Sequence, residues 1–236
     1  MKKLIPLLLI SLLFLSCSSQ LKGVLREGGS ADLTIRASIE PKMSSLIRSL
    51  KAVMGNPGSD LILDGSSISR SMGSSPGVKT AKFVNINPSE LEGTIEISRI
   101  EDFLSPGKET RFITYSESRL NGKSTGSIMI NLNRKTIPGL LVYLSAEATD
   151  YLSALMAPAV LDEEISKKEY LSLIGSLYGS AVAEEIRNAN IWVVIDLPEP
   201  VKSIKGGTAE GSRTVFHIPV LDLLVLETPL SWEIVW

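Results

Sequence analysis

Around Asn121-Gly122 two runs of this chain are set up to fold back on one another. Asn-Gly is the favoured pair for a two-residue type I′ hairpin turn, because both central residues must take positive φ. With that pair at the tip, Ile113 falls opposite Ile130 and Tyr115 opposite Ile128. The apolar faces of both strands then coincide, and a slip of one residue would turn them to opposite sides. The same period of two runs through Asp32–Ile39, with Leu33, Ile35, Ala37 and Ile39 inward, and through Ile191, Val193, Ile195 and Leu197. Val78–Ile86 and Leu91–Ile97 form a second expected hairpin around Asn87-Pro88-Ser89. A Gly206-Gly207 turn, a strand over Thr214–Ile218 and a last strand with Leu230, Trp232, Ile234 and Trp236 on one face complete the set.

Between these runs the period lengthens to that of a helix. Met43, Leu46, Ile47, Leu50, Val53 and Met54 share one face and end at Gly55-Asn56-Pro57-Gly58. A short helix is expected near Ser66–Met72, and residues 137–188 are expected to be helical throughout. Tyr151, Leu152, Leu155 and Met156 mark one helix there, ended near Pro158. Ser166-Lys167-Lys168-Glu169 is a capping box that opens another, carrying Tyr170, Leu171, Ile174, Leu177, Tyr178, Ala181 and Ile186. No repeat of fixed period and no internal linker divides the chain, and 236 residues are enough to bury one real core. The expectation is a single α+β domain over residues 31–236. Its mainly antiparallel, twisted sheet would carry two to three amphipathic helices packed on one face.

The N-terminus is of another kind. Met1-Lys2-Lys3 is basic, and Leu4 to Leu15 is apolar but for Pro6 and Ser11. About 12 residues are too few to cross a bilayer, which takes ~20, but they suit the h-region of a signal peptide. The run stops at Phe14-Leu15-Ser16-Cys17, which resembles the bacterial lipobox, with Phe14 where Leu is usual. That resemblance implies cleavage of residues 1–16 and a diacylglycerol thioether on Cys17, with an acyl chain on its amine. Cys17 is the sole cysteine and has no disulfide partner in the chain. Two or three acyl chains, at ~0.8 kcal/mol per buried CH₂, hold a protein on a membrane durably. Residues 17–30, with Ser18-Ser19 and Gly28-Gly29-Ser30, read as the lipidated residue and a flexible tether. Without Lys2 and Lys3 the remaining 220 residues carry 22 Lys+Arg against 26 Asp+Glu, a formal charge of −4. Such a body is not drawn to anionic headgroups by net charge, so the lipid must hold it there. Ser18 stands where some lipoproteins carry an Asp that retains them in the inner membrane, which favours the outer membrane.

Candidate chemistry is sparse. Nucleic acid is excluded as a main partner, since no clustered basic surface is encoded. Gly73-Ser74-Ser75-Pro76-Gly77 spells G-x-S-x-G, and Asp196 and His217 follow in hydrolase order. A nucleophile elbow needs a buried strand before the serine and a backbone N–H after it; Ile68–Met72 is too polar and Pro76 has no N–H. His217 is the single histidine, so a metal site would have to be built from carboxylates alone. No phosphate loop or dinucleotide fingerprint is present. The expectation is therefore a protein that is not an enzyme and holds no cofactor or metal. Val220–Leu226 is apolar except for Asp222 and reads either as buried core, as the wall of an apolar cavity, or as a surface that dips into the bilayer beside the lipid anchor. On the second reading Leu221, Leu223, Leu224 and Leu226 line the ligand site.

Ile191–Trp236 resembles the C-terminal half of the LppM-domain family of bacterial lipoproteins in its order of features. A β-run (Ile191–Asp196) is closed by Leu197-Pro198 and followed by a short strand (Val201–Ile204) and a Gly206-Gly207 turn. Then come an aromatic–polar strand (Thr214–His217) and an apolar tail, and Ala31–Ile39 after the cysteine also fits. Phe216 stands where the family often has Trp, and residues 137–188 have no counterpart. The resemblance implies an α+β body with a twisted sheet and an affinity for lipids or other envelope molecules, with no catalytic residues. Two functions stand open: a membrane-anchored envelope lipoprotein that binds a lipid or other apolar ligand, or an assembly lipoprotein docking on a membrane-protein partner.

Overall fold

The computed structural model describes residues 18–53, 61–104, 112–120, 123–137, 155–156, 159, 161 and 163–236. The expected signal segment over residues 1–16, Cys17, the Asn121-Gly122 tip and Tyr151-Leu152 lie outside the described residues. Within them the chain runs β1 (Ser18–Leu25), β2 (Ala31–Ser38), α1 (Pro41–Val53), α2 (Gly65–Gly73), β3 (Val78–Asn87), β4 (Glu90–Ile97) and α3 (Ile100–Leu104). It continues through β5 (Ile113–Leu120), β6 (Lys123–Leu132), α4 (Lys167–Tyr178), α5 (Ser180–Asn188) and β7 (Asn190–Asp196). The last elements are β8 (Ser203–Lys205), β9 (Thr208–Glu210), β10 (Arg213–Pro219), α6 (Val220–Val225) and β11 (Leu230–Val235).

This is an α+β protein, and its strands fall into two sheets. One has the order β3-β4-β2-β1-β7-β10-β9 and the other β5-β6-β11-β8. Pairing is antiparallel except between β1 and β7. The β5–β6 register pairs Ile113 with Ile130 and Tyr115 with Ile128, as the turn and the apolar pattern dictate. In the larger sheet Ile35, Ala37, Leu91, Ile95 and Ile191 point to the buried side, where the core is continuous with the helices. Thr34, Arg36, Glu92 and Glu96 alternate to the exposed side.

Residues 18–30 depart from the expected tether. Ser18–Leu25 is β1, a central strand with β2 on one flank and β7 on the other. Its inward positions are Ser19, Leu21, Gly23 and Leu25, and the two small residues hide the alternation in the sequence. Gly23 is small for a reason: a Cβ there would lie 3.0 Å from Leu33 Cδ2. Only Arg26–Ser30 turns, through Gly28 and Gly29 at φ 81° and 76°.

The helices are tied down by side chains. Asp64 caps α2 by accepting from the N–H groups of Ser66 and Ser67. Ser166 and Glu169 form the expected capping box of α4. The N-terminus of α1 is closed by Glu185 of α5, whose carboxylate accepts from Lys42 N at 3.0 Å and Met43 N at 2.7 Å. Within the stretch expected to be one helix from Ser166 onward, Gly179 at φ 96° ends α4, and α5 starts at Ser180. The two then pack as a helical hairpin.

Candidate functional site

The apolar run Val220–Leu226 becomes α6, a single helical turn and a half closed by Leu226 in the left-handed conformation. Leu223, Leu224 and Leu226 are buried to 2%, 2% and 3% exposure within the main core. They belong to the core cluster rather than to the surface. The reason is position: α6 follows β10 directly, and Val220 N–H donates to Ala189 O at 3.0 Å, which seats the turn against the α5–β7 junction.

Leu221 also borders a concavity. Between α4 and α5 lies a groove of about 630 Å³, lined by the small residues Gly175, Ser180 and Ala183 and by the apolar Leu171 and Leu221, with Glu184 beside them. Its volume is that of a small-molecule site. Small residues create it, since a Cβ added at Gly175 would meet only Ala183 Cβ at 3.8 Å and Ser180 Cα at 3.9 Å. In the sequence the small stripes Ser172, Ser176, Ser180 and Gly175, Gly179 would allow close helix approach, but they do not show that a groove remains between the two helices. Lys167, Lys168 and Arg187 stand at one end of the groove. Lys167 pairs with Asp222 at 2.6 Å and Arg187 with Glu184, while Lys168 has no ion pair among the described residues. Along the outside of α4, Leu173, Leu177 and Tyr178 are exposed.

A second concavity of about 280 Å³ lies where the β1–β2 turn meets β5. Glu117 organises it, accepting from Tyr115 OH at 2.6 Å, Ser124 Oγ at 2.6 Å and Gly28 N at 3.2 Å. Desolvation raises the carboxyl's pKa, but these donors outweigh it and hold it below the ordinary glutamate value. Burial first, and then the Glu117 carboxylate, push the Tyr115 phenol above its usual range. With its acceptors engaged, this group works as a clasp between the two sheets.

The G-x-S-x-G segment runs from helix to strand: α2 ends at Gly73, Ser74 caps it, and β3 starts at Val78. An elbow requires the reverse order. Ser75 Oγ is buried without a hydrogen-bond partner among the described residues. Asp196 is held by Arg213 through two hydrogen bonds of 2.7 and 3.0 Å, and His217 Nε2 meets Asn190 Oδ1 at 2.6 Å. β3 and β10 are five strands apart, about 24 Å at ~4.8 Å per strand, so the three residues do not assemble. Among the described residues there is no cluster of three or more His, Cys, Asp or Glu side chains able to hold a metal. No described helix is long and apolar enough to cross a membrane.

No protein-family model matches the chain, and no curated protein matches it. Among solved structures it is similar to the folded domain of the Mycobacterium tuberculosis LppM protein, determined by NMR. The two share 9% identity over 92% of this chain and 87% of that one, with a TM-score of 0.41. A superposition that loose transfers neither strand register nor site.

Proposed function

We propose that this protein is an envelope lipoprotein, held on a membrane by acyl chains on Cys17, whose body binds a lipid and catalyses no reaction. The observation that carries the binding is the α4–α5 groove: an apolar lining from Leu171 and Leu221, small residues at Gly175, Ser180 and Ala183, and Lys168 at one end. An acyl chain fits the first two features, and an anionic headgroup fits Lys168, which has no ion pair among the described residues. The groove also lies near the anchor. Arg187 closes α5 just before β7, and the first residue of β7, Asn190, is paired with Ser18, the neighbour of Cys17. A lipid would enter from the bilayer side without crossing water.

The test is native mass spectrometry with lipid extraction on protein purified from a bacterial host, beside a Gly175→Leu variant. A Cβ at 175 makes only ordinary contacts, 3.8 Å from Ala183 Cβ and 3.9 Å from Ser180 Cα, and the leucine side chain beyond it would occupy the groove. Co-purifying lipid that Gly175→Leu abolishes supports the reading. A clean mass that takes up no lipid on incubation sinks it. The exposed row Leu173, Leu177 and Tyr178 favours a second reading, an assembly lipoprotein whose α4 docks on an envelope protein. Under that reading Leu177→Glu removes a partner from crosslinking and leaves bound lipid unchanged.

A further inference from the structure

The chain between the expected lipidated residue and the first paired residue has no length. Ser18 follows Cys17 directly and is already in register with Ser38 on one side and Asn190 on the other. Asn190 in turn pairs with Pro219, so the start of β1, the end of β2, the start of β7 and the end of β10 form one edge of the large sheet. Consecutive Cα atoms are 3.8 Å apart, so an anchored Cys17 cannot let this edge stand away from the headgroups.

Trp192 lies two residues into β7 from that edge, about 7 Å at ~3.3 Å per residue. The headgroup layer on each side of a bilayer is about 5–7 Å thick, taking the difference between the hydrocarbon core and the full membrane. The indole is 45% exposed on the open side of the sheet, opposite Gln20 of β1. It is stacked on the His217 ring with centroids 4.4 Å apart and planes at 28°. Trp232 and Trp236 are 8% and 0% exposed. Ile86, 52% exposed just before the β3–β4 turn, lies at the same edge, because Asn87 pairs with Glu90 and Glu90 with Ser38. An exposed tryptophan is costly to hydrate over its apolar body and is favoured where one end of the ring is apolar and the other wet.

We infer that the Ser18 edge of the large sheet is a membrane-facing surface, with Trp192 seated in the headgroup layer of the bilayer that receives the Cys17 acyl chains. The inference rests on the lipoprotein reading and adds to it a fixed orientation: the β1–β2 turn points away from the bilayer, and the cationic end of the groove points toward it.

Full-length lipidated protein, reconstituted into phosphatidylethanolamine–phosphatidylglycerol vesicles with acyl chains brominated near the glycerol, tests this. The expected result is flotation with the vesicles, loss of the exposed tryptophan fluorescence in brominated against plain lipid, and absence of that loss in Trp192→Phe. Trp192→Phe still floats, since the acyl chains hold it. Flotation without bromine quenching, or quenching that survives in Trp192→Phe, overturns the orientation and leaves the lipoprotein reading standing. Failure to float, with no acyl mass on Cys17, overturns both.

Discussion

The α6 turn and the α4 helix are both rich in leucine, yet they do opposite things. In α6 the residues Leu221, Leu223, Leu224 and Val225 are all within the core, and only Asp222 keeps contact with solvent, through its pair with Lys167. In α4 Tyr170 and Ile174 are buried, whereas Leu173, Leu177 and Tyr178 face outward and Leu171 flanks an open groove. The denser apolar run is the scaffold, and the diluted one carries the unfilled surface. Hydrophobic content measures how much area a segment can bury. Whether that area is satisfied depends on what the fold brings against it.

Substitutions separate the two segments. The largest effect is expected for Leu224→Asp, which places a carboxylate in the core with no partner. It should cost several kcal/mol, and urea denaturation should find the protein unfolded or nearly so. Leu224→Ala should cost about 2–5 kcal/mol and leave a cooperative transition with an earlier midpoint. Next is Gly175→Leu, expected to leave the urea midpoint close to wild type while removing bound lipid in native mass spectrometry. If it unfolds the protein instead, the groove is core and the contrast fails. Smaller is Lys168→Glu at the rim, expected to weaken binding of phosphatidylglycerol relative to phosphatidylcholine several-fold, about 1 kcal/mol per charge, with stability unchanged. The smallest is Gly175→Ala, which should stabilise the helix by up to about 1 kcal/mol, read as a small rise in Tm. A destabilisation there would show that α4 and α5 already touch at this point.

The parts of the fold that were legible are those whose partners are near in sequence. The β5–β6 register followed from one turn and four apolar residues, and the β3–β4 hairpin and the capping box of α4 are equally local. Harder to read was β1, whose partners come from β2 across a five-residue turn and from β7 some 170 residues away, and whose inward Ser19 and Gly23 look like linker. The division into two sheets was also hidden. It turns on Gly206-Gly207, where the chain leaves β8 in one sheet for β9 in the other. A Cβ there would sit 2.6 Å from Trp232 and 2.5 Å from Phe216, one ring from each sheet. Glycine at both positions is a consequence of that packing, while in the sequence it reads as an ordinary turn. Of the four leucines expected to line a site, Leu221 borders the α4–α5 groove, while Leu223, Leu224 and Leu226 are buried in the core.

By itself the sequence determined the periods, the local turns and caps, the α+β class, and an apolar N-terminal run followed by Phe14-Leu15-Ser16-Cys17, which resembles a lipobox. Each depends on residues within a turn or two of one another, where steric and hydrogen-bonding rules act directly. The tertiary structure decided which small residues are buried, which leucines are covered, where α4 gives way to α5, and that β1 begins at the residue after Cys17. Those outcomes depend on which distant surfaces meet, and a side chain's polarity does not name the neighbour that will cover it.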